Sequence, residues 1–315
     1  MEEKIKIGVS SCLLGEKVRY DGGHKHNDYV ADTLGAYFSY VAVCPEVECG
    51  MPTPREVIRL EGNPGSPRLM TRVTHRDVSD QMVSYRETRL EQLKTEDLCG
   101  YILKKDSPSC GLWRVKVYQG QGMVKSGSGM FAAGLVKQFP LLPVEEEGRL
   151  NDPKIRENFI ERVFSYQRWK DFLSDKPTAG KLVAFHTRHK LLLMAHNPQI
   201  YREMGKLVAR SSSLKFTELL HNYENMLMSG LAFFATPKKH SDVLMHIMGY
   251  FKKELSGAEK AEMLDLIAQY KNLLVPLIVP LTLLRHYIAK YDQQYLKNQV
   301  YLNPHPKELM LRNHV

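Results

Sequence analysis

Short apolar runs alternate with loops and amphipathic stretches over roughly the first 150 residues. Three runs have the length and composition of buried strands: residues 4–9, 40–43 and 100–103. Apolar residues in 78–94 recur near helical spacing, and residues 27–34 and 130–139 have the pattern of shorter helices. Strand–helix alternation of this kind predicts an α/β N-terminal domain with a mostly parallel, Rossmann-like sheet.

Apolar residues follow the helical period through most of the remaining chain. Stop and start signals at Asn197-Pro198, Thr236-Pro237 and Ser256-Gly257 separate the periodic stretches. The periodic stretches are 181–195, 198–208, 214–231, 239–255, 258–272 and 279–291. The sequence therefore predicts an all-α C-terminal domain.

An acidic run at 141–147, followed by Asn151-Asp152-Pro153, indicates where the two domains meet. The predicted organisation has three parts. They are a cluster-binding catalytic α/β domain over 1–150, a linker helix over 151–175, and a basic all-α domain over 176–315.

Charge is distributed unevenly between the two halves. The formal net charge is +9, yet up to Asp175 there are 25 Lys and Arg against 25 Asp and Glu. The whole excess, 19 basic against 10 acidic residues, therefore lies after that point. Such asymmetry favours a polyanionic partner, with nucleic acid the commonest, over the alternative of a solvated basic surface.

The cysteine count and the apolar segments indicate a reducing compartment. All five cysteines precede residue 111, and an odd number fits no disulfide framework. Residues 1–4 do not begin a signal peptide, and Pro276 and Pro280 interrupt the most apolar stretch, 273–284. These features predict a cytoplasmic protein with no membrane association, and nothing in the sequence indicates a stable protein partner.

Three cysteines each follow one of the predicted strands. Cys12, Cys44 and Cys110 would meet at the carboxyl edge of a parallel sheet, where such sheets bind their ligands. Three thiolates at one edge suggest a metal or cluster site with one open position, although ordinary buried cysteines remain an alternative. Cys49 is a possible fourth ligand, whereas Cys99 precedes its strand and belongs at the opposite edge.

The residues around these cysteines form motifs that resemble the thiouracil desulfurase family. The motifs are SCLLG from Ser11, RYDG from Arg19, CPE from Cys44 and KKDSPSCG from Lys104. The remainder of the chain, with HTRHK from His186 and VPLTLLRH from Val279, resembles the helical YbgA-type domain fused to some members. This combination is similar to enzymes that remove sulfur from 4-thiouridine in tRNA. The resemblance implies a 4Fe–4S cluster on Cys12, Cys44 and Cys110, with one iron that the protein does not ligate.

The chemistry that the resemblance implies needs a proton carrier and a group that positions the base. Glu46 can activate water or shuttle a proton, and Ser107 can hydrogen-bond the ring. Asp21 and Ser11 are further candidates for orientation. For Glu46 the alternative is a structural role as the ion-pair partner of Arg19. For Ser107 the alternative is a turn-forming role before Pro108.

Three functional hypotheses remain open at the level of sequence. The first is a desulfidase that converts 4-thiouridine in tRNA to uridine and releases hydrosulfide. The second is a desulfurase of free thiouracil or small thionucleosides, and the third is a non-catalytic iron–sulfur or zinc RNA-binding module. Contacts to RNA phosphates are predicted for basic residues of two consecutive helices, namely Arg188, Lys190, Arg202, Lys206 and Arg210.

Overall fold

The structure is a computed structural model that describes residues 4–211 and 213–314. The chain forms two compact units, one ending at Asp152 and the other beginning at Pro153. The expectation that residues 1–4 carry no signal peptide falls largely on residues outside the described range.

The first unit contains two sheets. Its strands are β1 (Ile5–Ser10), β2 (Phe38–Val43), β3 (Ile58–Glu61), β4 (Arg68–Thr71), β5 (Tyr101–Leu103), β6 (Val115–Gln119), β7 (Gly122–Gly127) and β8 (Val144–Glu146). Its α-helices are α1 (Pro45–Glu48), α2 (Ser79–Leu93) and α3 (Met130–Gln138). The three strands and the helices over 78–94 and 130–139 that the sequence predicts are confirmed, while residues 27–34 form only a π-helical turn, Tyr29–Thr33, with a 3₁₀ turn after it.

The first sheet is parallel throughout, in the order β2-β1-β5-β8. The register pairs Ser10 with Val43, so β1 and β2 end at the same edge. Gly8 allows β5 to pack closely, because a Cβ there would lie 2.1 Å from a ring carbon of Tyr101. The predicted fold class, a mostly parallel α/β unit followed by helices, is confirmed.

The second sheet, β4-β3-β6-β7, was not predicted from the sequence. It is mixed, since β3 pairs antiparallel with β4 but parallel with β6. β3 and β4 have four residues each and lie in a stretch rich in Pro and Gly, so neither shows a periodic pattern. Their buried residues, with Met82 of α2, form a separate small core.

The second unit is helical. Its helices are α4 (Pro153–Ser174), α5 (Ala179–His196), α6 (Pro198–Ala209), α7 (Phe216–Leu231), α8 (Pro237–Met248), α9 (Gly257–Lys271), α10 (Ile278–Lys290) and α11 (Gln294–Lys297). The predicted start signals are confirmed, because Asn197, Thr236 and Ser256 cap α6, α8 and α9 with their side chains. No helix among the described residues is both long and apolar enough to cross a membrane.

The first unit ends at Asp152, close to the predicted end of the first domain at residue 150, but the segments on either side differ from the prediction. Residues 151–175, interpreted as a linker, lie mostly in α4, whose Trp169 stacks on Phe172 and on Tyr223 of α7 at centroid distances of 5.0 and 5.1 Å. This helix is therefore part of the core of the second unit. The acidic run 141–147 contains β8, a strand of the parallel sheet, and its glutamates Glu146 and Glu147 are buried rather than solvated.

Candidate functional site

A cavity of about 330 Å³ opens at the carboxyl edge of the parallel sheet. Cys12 follows β1, Cys44 follows β2 and Cys110 lies in the loop after β5, and all three line this cavity. The convergence follows from the parallel order of the strands, since neighbouring strands that run the same way end at one edge.

Burial makes the three thiols poor thiolates in the absence of a partner. Desolvation, followed by the neighbouring Cys44, raises the pKa of Cys12 to about 12 even though Lys104 acts to lower it. The pKa of Cys110 is raised first by complete burial, then by Glu46, Cys44 and Cys12. Burial also raises the pKa of Cys44. Each thiolate would therefore be disfavoured by burial and by the negative charge of its neighbours, and a bound cationic centre would offset both effects.

Backbone N–H groups at the start of α3 hold the Cys110 loop in place. The first N–H groups of α3 bond to this loop: Met130 N donates to Pro108 O at 3.1 Å and Phe131 N to Ser109 O at 3.0 Å. Gly129 permits this approach, because a Cβ there would lie 2.4 Å from the carbonyl carbon of Ser109. The small-residue turn before α3 thus fixes the position of a candidate ligand.

Two buried glutamates at the end of β8 brace the same loop. Glu146 Oε1 accepts hydrogen bonds from the backbone N–H of Leu112 at 2.7 Å and of Trp113 at 3.1 Å. Glu147 accepts from Lys105 N at 2.7 Å and pairs with Lys104 Nζ at 2.6 Å. Sequence reasoning missed both residues, because an acidic run usually marks a solvated surface.

Glu46 lies on the cavity wall with its two carboxylate oxygens in different environments. Oε2 is bound by Arg55, whose Nε lies 3.0 Å away and whose Nη2 also donates to it. Oε1 accepts a hydrogen bond from Ser109 Oγ at 2.6 Å. Glu46 therefore pairs with Arg55, and the predicted alternative, a pair with Arg19, is not formed; Arg19 contacts Asp21 instead.

A chain of hydroxyl groups connects Glu46 to the Cys110 loop. Ser107 Oγ lies 2.9 Å from Ser109 Oγ and 3.5 Å from Glu46 Oε1. Ser107 Oγ also accepts hydrogen bonds from the backbone N–H of Ser109 and Cys110. With Ser107 donating to Ser109 and Ser109 donating to Glu46, each hydroxyl hydrogen has an acceptor. Ser109, which was not among the predicted residues, is thus the closest hydroxyl partner of Glu46.

The other predicted site residues are divided between the cavity and its surroundings. Ser11 is buried and lines the cavity. Asp21 does not line the cavity. Its exposed carboxylate accepts a hydrogen bond from Gly23 N at 3.0 Å and pairs with Arg19, so it stabilises the turn at residues 19–23. Cys49 follows α1 and does not line the cavity; its thiol donates to the backbone oxygen of Glu46 at 3.2 Å. Cys99 is fully buried, and its N–H bonds to Lys6 O near the start of β1, at the opposite edge.

The donor set fits an iron–sulfur cluster better than a hard metal ion. Three soft sulfur ligands line one cavity together with the carboxylates of Glu46 and Asp106, and Arg55 already pairs with Glu46. A hard cation such as Mg²⁺ prefers a complete shell of oxygen ligands, whereas thiolate sulfur is the softer donor that suits iron.

The predicted RNA-contacting residues lie on α5 and α6. Arg188, Arg202, Lys206 and Arg210 are exposed, and Lys190 is partly buried. Arg202 and Lys206 of α6 and Arg210, which caps its C-terminus, recur every four residues, so they lie along one side at spacings of about 6 Å. None of the five forms an ion pair within 4.0 Å among the residues that the structure describes.

A second cavity, of about 140 Å³, lies in the helical unit and was not foreseen. Arg312, Glu157, Glu161 and His196 line it and form a buried ionic network. Arg312 Nη2 lies 2.7 Å from Glu161 Oε1, and Arg312 Nε lies 3.3 Å from Glu157 Oε1. His196 Nε2 lies 2.9 Å from Glu161 Oε2. Arg312 and His196 hold the pKa of Glu161 below its usual range despite burial, whereas burial and Glu161 raise that of Glu157.

Comparisons with known proteins divide the chain in the same way. A family model described as 2-thiouracil desulfurase matches residues 7–147, and one described as a protein of unknown function, DUF1722, matches residues 190–306. The uncharacterized protein YbgA of Escherichia coli K12 is 29% identical over 165 residues, 52% of this chain and 98% of that protein.

Two further similarities concern the cysteine-bearing unit. The uncharacterized protein YbbK of Bacillus subtilis 168 is 32% identical over 151 residues, 46% of this chain and 98% of that protein. A solved structure described as the [4Fe-4S]-dependent thiouracil desulfidase TudS has 32% identity and a TM-score of 0.39, over 47% of this chain and 95% of that one. Through residues 7–147, the chain belongs to the 2-thiouracil desulfurase family.

Proposed function

We propose that the cysteine-lined cavity removes the sulfur atom from a thiolated uracil by non-redox hydrolysis. The observation that carries the proposal is the convergence of Cys12, Cys44 and Cys110 on a cavity that Glu46 also lines. Membership of the 2-thiouracil desulfurase family agrees with this reaction and with this class of ring.

Cys12, Cys44 and Cys110 are the residues that would hold a 4Fe–4S cluster. Three thiolates leave one iron without a protein ligand, and the cluster supplies there a soft Lewis acid for sulfur. The site itself contributes desolvation, because two of the three thiols are buried and the cavity wall is formed by packed strand ends.

Glu46 and the two serines supply the proton chemistry. In the overall reaction water adds to the thiocarbonyl carbon, the C–S bond breaks, and hydrosulfide leaves with the carbonyl oxygen in its place. Glu46 Oε1 accepts a proton from the attacking water, and Ser109 Oγ, 2.6 Å away, can pass a proton on to Ser107. Arg55 keeps the opposite oxygen of Glu46 occupied, which leaves Oε1 as the oxygen available for the reaction.

The proposed substrate is 4-thiouridine within tRNA. Support comes from the second unit, where Arg188, Arg202, Lys206 and Arg210 are exposed and form no ion pair within 4.0 Å among the described residues. Phosphate contacts from such residues provide most of the affinity of proteins for nucleic acid. A duplex-embedded base would have to be extruded to reach a cavity of this kind.

An aromatic surface in the second unit supports an RNA partner further. Tyr250 is 38% exposed and stacks on Tyr295 at a centroid distance of 5.3 Å and an angle of 17°. Burial raises the pKa of Tyr295, and the neighbouring Tyr250 and Tyr201 raise it as well. An exposed tyrosine ring such as that of Tyr250 suits an unpaired base, since each stacked base contributes about 1–3 kcal/mol.

Hydrosulfide release from defined substrates tests the reaction and its substrate together. The full chain, reconstituted anaerobically with iron and sulfide, is expected to release hydrosulfide from tRNA that contains 4-thiouridine. Glu46→Gln should lower kcat by about 10²-fold or more while the cluster absorbance is retained, and the exposed Glu16→Gln serves as the matched control.

Each alternative outcome of this experiment would support a different function. Turnover of free thiouracil or a thionucleoside, with tRNA inert, would favour the small-molecule desulfurase. Zinc instead of iron in anaerobically purified protein, with no turnover of either substrate, would contradict catalysis and leave the RNA-binding module. An unchanged rate for Glu46→Gln would remove this carboxylate from the mechanism.

RNA affinity is expected to depend on both salt and the tyrosine stack. Arg202→Ala and Lys206→Ala should each reduce the slope of log K against log salt by about 1, because each removes one phosphate contact. Tyr250→Ala should weaken binding about 5- to 10-fold at unchanged slope, since the ring carries no charge. Binding titrations with unmodified tRNA measure both effects, with the exposed Lys271→Ala of α9 as control. A flat salt response in the unsubstituted protein would refute the assigned surface.

A further inference from the structure

Arg55 occupies a buried position behind the carboxylate of Glu46. Its side chain is only 5% exposed, and each guanidinium nitrogen has an acceptor. Nε and Nη2 donate to Glu46 Oε2, Nη2 also donates to Val18 O at 2.9 Å, and Nη1 lies 3.3 Å from Thr53 Oγ1. The guanidinium group is therefore fully engaged and leaves no donor for a substrate.

The contacts of Arg55 connect three segments of the cavity wall. The backbone N–H of Arg55 donates to Tyr20 O at 2.8 Å, so its main chain and side chain both bind residues 18–20. The guanidinium reaches Glu46, two residues beyond the candidate ligand Cys44. Cys44 Sγ in turn lies 3.8 Å from Val18 O. A single side chain thus ties together the loop after β1, the loop after β2 and its own segment.

The consequence for Glu46 is a defined orientation of its carboxylate. With Oε2 held by two nitrogens of a planar fork, rotation about the last side-chain bond would break a charge-assisted hydrogen bond. Oε1 then points to Ser109 at 2.6 Å and Ser107 at 3.5 Å, on the side of the cavity. Without Arg55, either oxygen could face the cavity and the carboxylate would sample several rotamers.

We propose that Arg55 is the positioning residue for Glu46, which fixes Oε1 as the single oxygen presented to the hydroxyl pair and the reacting water. The inference rests on the proposed function only in naming Glu46 as the base. The geometric part, a guanidinium site formed by Glu46 and Val18, stands on the contacts alone. Lysine cannot replace Arg55 fully, because a single ammonium nitrogen cannot supply the two nitrogens that donate to Glu46 Oε2 and also reach Val18 O and Thr53 Oγ1.

The test uses Arg55→Ala and Arg55→Lys in the reconstituted full chain, with free guanidinium ion added at millimolar concentration. Arg55→Ala should lower kcat by about 10²-fold and change KM less than twofold, since misplacement of a base by about 1 Å has an effect of this size. Guanidinium should restore kcat saturably in Arg55→Ala, and Arg55→Lys should retain an intermediate kcat. Arg59→Ala is the control, because Arg59 pairs with Glu61 outside the cavity and its loss should leave kcat unchanged.

A second measurement does not depend on turnover. Guanidinium should bind saturably to Arg55→Ala protein in calorimetric titrations, and should not bind to the Arg55→Ala/Glu46→Gln double variant. Binding without hydrosulfide release from the unsubstituted enzyme would sustain the positioning site and overturn the proposed reaction. A kcat that guanidinium does not restore, a rise in KM instead of a fall in kcat, or equal guanidinium binding by both variants would overturn the assignment of Arg55.

Discussion

Replacement of Cys12, Cys44 or Cys110 by alanine is expected to abolish both cluster assembly and desulfidation. The three thiols come from three different strand ends and line one cavity, so no neighbouring side chain can substitute for a lost sulfur. A cluster with only two protein ligands would be labile, because thiolates are what hold such clusters. The measurements are iron and sulfide content after anaerobic reconstitution, the visible absorbance of the cluster, and hydrosulfide release.

The two remaining cysteines provide matched controls within the same unit. Cys99→Ala removes a thiol that is fully buried at the opposite edge of the sheet, so it should cost only modest packing energy and leave the cluster intact. Cys49→Ala should also retain iron, since the Cys49 thiol bonds to Glu46 O outside the cavity. A fully active Cys110→Ala variant, or loss of iron from Cys49→Ala, would contradict the ligand assignment.

The position of the cysteines could be predicted from sequence because the rule behind it is topological. Parallel strands bring their carboxyl ends to one edge, so three strand-terminal cysteines converge whatever the intervening loops do. Tyr101–Leu103 is only three residues long, yet it is buried on both sides and its apolar run predicts a strand clearly. The mixed second sheet escaped prediction because its short strands owe their stability to pairing across the chain, which local periodicity does not record.

The polar parts of the site were predicted less completely. Glu46 was recognisable by its distance of two residues from Cys44, and it does line the cavity. Ser109 and Arg55 complete its hydrogen bonds, but their roles depend on contacts across 63 and 9 residues that no spacing rule encodes. Asp21 is the opposite case: its place inside a motif predicts a role in the site, but its carboxylate stabilises a turn and does not line the cavity.

The acidic run 141–147 shows that a run of charged residues can be buried and structural. Glu146 and Glu147 are 6% and 7% exposed and bind the backbone of the Cys110 loop, although a run of acidic residues usually marks solvent. Their carboxylates satisfy N–H groups that the loop would otherwise leave without partners. The sequence signal that could have identified them is their place directly after a short apolar run in a sheet of parallel strands.

Arg312→Ala is expected to destabilise the helical unit by about 3–5 kcal/mol, because it leaves buried carboxylates without their counter-charge. Arg312 is 3% exposed and Glu161 is 2% exposed, and they lie 2.7 Å apart. Arg312 Nη1 also donates to Tyr301 O, so the substitution leaves a buried carbonyl without that donor. Urea unfolding of the full chain should show the loss as a lower transition midpoint for this unit.

Tryptophan fluorescence can assign that transition to the correct unit. The chain has two tryptophans, exposed Trp113 in the first unit and buried Trp169 in the second. In a Trp113→Phe background, Trp169 alone therefore reports the helical unit. The exposed Arg210→Ala should change the free energy of unfolding by less than about 0.5 kcal/mol. Adding Glu161→Gln to Arg312→Ala should recover part of the loss, since it removes the uncompensated charge; an Arg312→Ala variant as stable as Arg210→Ala would show that the network contributes no stability.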